Sequence, residues 1–182
     1  MLHRLAKGWL ILVLLALNIL NIVYWLIPAE ARLNDASDGT GLIDKEFGYT
    51  PQKVYEMVAA YGERGRTIYR ENILRVDIIL PFLLTSFFSL AISYLFRLGF
   101  NASSLYQLLN VIPLGAGLFD LLENVGIYLM LLIYPSTPQL LAWITTAFTI
   151  IKFILYISSL ALLCVGVVAA FITVFRIMLK RR

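Results

Sequence analysis

A chain of 182 residues that is 60% hydrophobic and only 14% charged, with a mean hydropathy of +0.84, carries more apolar surface than one water-soluble core can hide. A lone cysteine, Cys164, excludes an intrachain disulfide or CxxC centre, and a lone histidine, His3, excludes a bis-histidine haem or two-histidine zinc site within this chain. The formal charge of +4 follows topology, not a nucleic-acid patch, so no nucleic-acid partner, metal or cofactor is expected.

Four apolar runs, about 9–27, 76–96, 108–133 and 140–175, approach or exceed the ~20 residues that cross a ~30 Å hydrocarbon layer. The expected fold is an all-α integral membrane protein, a single domain over 1–182. It is a four-transmembrane-helix bundle with an extracytoplasmic helical loop, 28–75, between helices one and two. Arg4 and Lys7 precede the first run, Arg97 lies in the second connection, and Arg176, Lys180, Arg181 and Arg182 close the chain, with no acid in any of these segments. Loop 28–75 is mixed in charge and YPSTPQ carries none. The positive-inside rule therefore places both termini in the cytoplasm and the loop outside a cell membrane.

The first run, followed by Ala29-Glu30-Ala31, imitates a secretory signal, but it is longer than the usual apolar core of one and reads better as an uncleaved helix. Tyr24 and Trp25 near its outer end, and Trp143 in the fourth run, suit interfacial belts. The stretch 33–48, with Asp35, Asp38 and Asp44, lacks calcium-loop spacing and reads as a turn-rich linker. Thr50 and Pro51 then form a helix start before Val54, Met57, Val58 and Tyr61, one apolar stripe on an amphipathic helix over about 51–61. Beyond it, Arg64, Arg66 and Arg70 are candidates for lipid phosphate, or for pairing with Glu63 and Glu71.

Pro81 sits early in the second span and Pro113 early in the third, where each kinks a helix or frees a carbonyl. Asn101-Ala-Ser matches the glycosylation triplet but falls on the cytoplasmic side. Ser104 and Gln107 have capping-box spacing. YPSTPQ is a tight stop that makes helices three and four a hairpin.

Within that hairpin, GAGLFDLLENVGIYLMLL carries Asp120, Glu123 and Asn124 in an otherwise apolar span. Asp120 precedes Ile133 by 13 residues, and Lys152 follows Gln139 by 13, which puts both about 20 Å below the outer end and makes Lys152 the natural partner of the carboxylates. Thr149 and Tyr156 share the Lys152 face. Asn18 and Asn21 in helix one, with Ser86 and Ser89 in helix two, extend the expected buried polar cluster. Two acids against one base leave a formal surplus of one negative charge, to be absorbed by a proton, a cation, an amine ligand or a partner's lysine.

No phosphate loop, GxSxG elbow or histidine triad is present. The four-span plan with buried acids is loosely similar to the sterol-isomerase and sigma-2-like membrane family, whose motifs do not register here residue by residue, and no family is assigned. The first functional reading is a structural or accessory subunit of a membrane complex or homo-oligomer, surrounded by membrane lipids. The alternative is an intramembrane site or acid-base enzyme for a lipid-like or amine ligand, with Asp120 and Glu123 as anchors or acid and base. A third is proton or ion translocation by an oligomer.

Overall fold

The computed structural model describes residues 6–100 and 105–180. The expectations placed on His3, Arg4, the Asn101 triplet, the Ser104 cap, Arg181 and Arg182 lie outside these residues. Among the described residues all regular structure is helical. Helix α1, Gly8–Asn21, passes through a wide π turn, Ile22–Leu26, into α2, Ile27–Ala36, as one rod. Helices α3, Pro51–Ala60, and α4, Gly62–Asn72, follow; a second π turn, Ile73–Asp77, joins α4 to α5, Ile79–Gly99. A 3-10 segment, Leu105–Val111, enters α6, Ile112–Ile133, and α7 runs Gln139–Lys180. Four helical stretches, Gly8–Ala36, Gly62–Gly99, Tyr106–Ile133 and Gln139–Leu179, are long and apolar enough to cross a membrane.

Both π turns precede a proline. Pro28 and Pro81 have no N–H for the helix ladder, and just upstream the ladder shifts to i→i−5 bonds, Ile27 N–H to the Ile22 carbonyl and Ile78 N–H to the Ile73 carbonyl at 3.2 Å. Pro81 also leaves the Asp77 carbonyl without its i+4 donor. Asn124 Nδ2 fills that place at 3.0 Å and ties α6 to α5. Pro113 does not kink a helix interior; it stands in the first turn of α6, where its missing donor costs nothing.

The helices alternate in direction. Asn18 Nδ2 donates to the Leu83 carbonyl at 3.1 Å and Asn72 Nδ2 to the Ala29 carbonyl at 3.0 Å, locking the α1–α2 rod antiparallel to α4–α5. The α6–α7 pair is the most extensive packing in the chain, drawn close by Gly126, where an added Cβ would lie 2.1 Å from Thr145 Oγ1.

The segment around 28–75 builds no core of its own. Val54, Tyr55, Val58, Tyr61 and Tyr69 from α3 and α4 bury against Ile127, Met130 and Leu131 of α6 and Ala142 of α7, so the cap borrows its apolar floor from the ends of the hairpin. Thr50 caps α3 by accepting from Lys53 N–H at 3.2 Å, as its spacing predicts. The connection from α2 to α3 does not lie loose over this cap. Ile43, fully buried, and Tyr49 belong to the same core, and Gly48, at φ +86°, lets the chain turn against Thr146 and Ile150 of α7.

Candidate functional site

Lys152, 6% exposed, projects from α7 towards α6 at the level where the cap meets the bundle. Its ammonium pairs with Glu123 Oε2, stands 3.7 Å from Asp120 Oδ1, and donates to the backbone carbonyl of Asp44 at 3.2 Å. The ammonium is thus held by two carboxylates of one helix, α6, and by one backbone carbonyl of the connection between α2 and α3. Glu123 has no exposed surface. Its Oε1 accepts from Thr149 Oγ1 at 2.7 Å, a charged acceptor that outcompetes the Thr145 carbonyl, 3.1 Å from the same hydroxyl. Tyr156 OH donates to Asp120 Oδ2 at 2.9 Å. Asp120, Glu123, Lys152, Thr149 and Tyr156 therefore come together.

The remaining residues of the expected cluster stand elsewhere. Asn124 faces α5 and holds the Asp77 carbonyl. Asn18 binds backbone on its own helix and on α5, and Asn21 lines a separate groove. Ser89 is buried deeper along α5; Ser93 Oγ donates to its carbonyl at 2.7 Å and accepts from Asn110 Nδ2 at 2.6 Å. Ser86 is half-buried on the same helix. Of the three arginines, Arg66 donates to the Val58 carbonyl at 3.2 Å and lies 4.4 Å from the Tyr134 ring centroid, Arg70 donates to Thr67 Oγ1 at 3.3 Å, and Arg64 is exposed. Gln107 reaches the Phe96 carbonyl at 3.1 Å, fastening the 3-10 segment to the end of α5.

Three members of the site were not legible in sequence. Asp44, read as linker, has its carboxylate held by Tyr69 OH at 2.9 Å, while the same hydroxyl accepts from Ile43 N–H at 3.1 Å. Tyr49, whose amide donates to Thr146 Oγ1 at 2.8 Å, buries a phenol oxygen that has no hydrogen-bond partner among the described residues; burial pushes that phenol above its ordinary pKa and keeps it protonated. Asp77 lies within electrostatic range of Asp44, Asp120, Glu123 and Lys152. The sequence contained a signal for Asp77 alone, an acid four residues before a span-opening proline. With Asp44 and Asp77 counted, four acidic residues lie in the neighbourhood of one lysine, although only the carboxylates of Asp120 and Glu123 reach its ammonium.

Grooves occur on the surface near this cluster but are not lined by it. One of about 330 Å³ runs beside Leu74, Phe82 and Tyr128, and another of about 240 Å³ beside Thr85, Gly117 and Leu118. Neither is lined by Glu123 or Lys152. Among the described residues no group of three or more His, Cys, Asp or Glu side chains is arranged to hold a metal ion. Compared with protein-family models, curated proteins and solved structures, the chain matches none. The fold and site define an all-helical chain with four helical stretches long and apolar enough to cross a membrane, whose charges converge where an apolar cap packs on the bundle.

Proposed function

We propose that this chain is a structural or accessory subunit of a membrane assembly, and that the charged cluster is the bolt holding its cap to its bundle. The observation that carries this reading is the closure of Lys152, whose contacts come from α6 and from the Asp44 carbonyl of the cap connection. An ammonium so enclosed favours a fixed geometry over turnover. Leu140, Trp143 and Ile144 stay exposed along the cap end of α7, beyond the level of the charges, where a neighbouring subunit would cover them. The orientation that accompanies this reading puts both termini in the cytoplasm and 28–75 outside.

A second reading rests on the carboxylate surplus. Four acids to one base also suit an amine or cation taken up beside Asp77 and Asp120, with Lys152 displaced towards Glu123. Mass spectrometry of a lipid and small-molecule extract, together with native gels, separates the two. Asp120→Asn and Glu123→Gln should leave the extract unchanged while weakening assembly. A stoichiometric amine or lipid present in the parent and absent from both variants would overturn the subunit reading in favour of the binding site.

A further inference from the structure

The groove of about 330 Å³ between α5 and α6 is walled by apolar side chains, Ile78 and Phe82 from one helix and Leu121, Val125 and Leu129 from the other. One polar residue of that wall is almost enclosed: Asn124 is 4% exposed. Its Nδ2 is committed at 3.0 Å to the Asp77 carbonyl that Pro81 leaves without a helical donor, and a carbonyl partner fixes which end of the carboxamide is nitrogen. Oδ1 is therefore the end left over, and no described residue donates to it. Unlike the Oδ1 atoms of Asn18 and Asn21, this one is not sealed inside the protein, and the groove is where Asn124 meets the outside. An acceptor held in place among apolar groups and left unpaired costs free energy, which a donor seated in the groove would recover.

What the wall offers decides what it can take. Ester, ether and carboxylate oxygens are acceptors and cannot complete Oδ1. No lining residue is charged, so a phosphate finds no cation, and an ammonium would give up its water for a single neutral acceptor. A hydroxyl donates one hydrogen bond and carries no charge to desolvate. Depth agrees with this choice, since Asn124 is level with Asp77 at the start of the apolar run of α5, and deeper along the bundle Phe82 and Leu121 also wall the groove of about 240 Å³ beside Leu114 and Leu118. The ten residues from Leu114 to Asn124 span about 15 Å of helix. We propose that these adjoining grooves bind a neutral lipid alcohol, its hydroxyl donating to Asn124 Oδ1 and its apolar body lying along Phe82, Leu121 and Leu118. The site rests on neither functional reading above: Asp120 and Glu123 do not line it, so Asp120→Asn and Glu123→Gln would both retain the alcohol.

Hexadecanol carrying a mid-chain diazirine is the probe, cross-linked by light to the full chain in phosphatidylcholine vesicles and mapped by mass spectrometry of peptides. Labelling should saturate and fall on α5 around Phe82 and on α6 around Leu118 and Leu121. Unlabelled hexadecanol should displace the probe at an about fivefold lower membrane fraction than hexadecyl methyl ether, which keeps the oxygen and loses the donor, the preference one neutral hydrogen bond supports. Asn124→Leu should make alcohol and ether compete alike. Val125→Trp, at an exposed position in the groove wall, should abolish saturable labelling without touching the bond from Asn124 to Asp77. Tyr128→Phe, which removes the phenol one turn nearer the cap, should leave the alcohol its advantage. Equal displacement by alcohol and ether in the parent protein, an advantage that disappears in Tyr128→Phe, saturable labelling that survives Val125→Trp, or hexadecylamine displacing the probe better than hexadecanol would each overturn the proposal.

Discussion

Lys152 sits between two carboxylates, one of them fully enclosed, so the consequence of losing it is set by what it leaves behind. Lys152→Met abandons Glu123 as an unpaired buried acid, and breaking such a pair from one side costs roughly 3–5 kcal/mol. Thermal unfolding in detergent should therefore fall far more for Lys152→Met than for the Lys152→Met/Glu123→Gln double variant, in which no charge is stranded at Glu123. A double variant as unstable as the single one would show that the ammonium's bond to the Asp44 carbonyl, not its pairing with Glu123, carries the stability. Tyr156→Phe is the milder companion, removing one hydrogen bond to a charged acceptor, about 1.5–3 kcal/mol, without touching Glu123. An unchanged melt for Tyr156→Phe would mean that solvent replaces the phenol at Asp120. Equal spacing from the YPSTPQ turn was enough to pair Lys152 with the acids. Asp44 and Tyr49 were illegible because an irregular connection has no periodicity, and only its packing brings them to the site.

At the level of elements, the hairpin of α6 and α7 depends on a missing side chain. A Cβ on Gly126 would meet Thr145 Oγ1 at 2.1 Å, Cγ2 at 2.7 Å and Cβ at 2.9 Å, so Gly126→Ala must spread the helices just above Glu123 and Thr149. Overpacking of this kind typically costs about 1–3 kcal/mol, visible as a lower melting temperature. Adding Thr145→Ala removes the two closest atoms and should restore part of that loss. If Gly126→Ala is silent, the approach of α6 to α7 is looser than these distances. The α3 helix was readable from its cap, proline and stripe because each is a local rule. Its continuity with the bundle was not, since the stripe at Val54, Val58 and Tyr61 says only that something apolar covers it, and the covering residues, Ile127, Met130 and Ala142, read as membrane-facing on their own.

Across the whole molecule, the four spans were legible but their relative heights were not. Asp120 counts as about 20 Å from the hairpin turn, which suggests mid-membrane charge if that turn marks the boundary. Cross-helix contacts set a different scale. Asn124 bonds the carbonyl of Asp77, at the start of the apolar run of α5, and Asn72 bonds that of Ala29, just past the apolar run of α1. On the scale of α1 and α5 the charged turn of α6 stands level with the cap-side ends of their apolar runs, and the last turns of the hairpin rise beyond it into the cap. Helix α7, at 42 residues and roughly 63 Å, has length to spare for this. Spin labels in a Cys164→Ser background test the difference. Labels at Val125→Cys and Ile150→Cys, both exposed and close in sequence to Glu123 and Lys152, should be more accessible to a polar nickel relaxant than to oxygen. A label at Leu160→Cys should show the reverse. Impermeant maleimide on intact cells completes the frame: Gln52→Cys and Thr137→Cys should react, while Arg176→Cys reacts only after permeabilisation. Oxygen-dominated relaxation at Val125 and Ile150 would return the carboxylates to the middle of the bilayer, where four acids around one lysine need a ligand or a proton rather than a boundary.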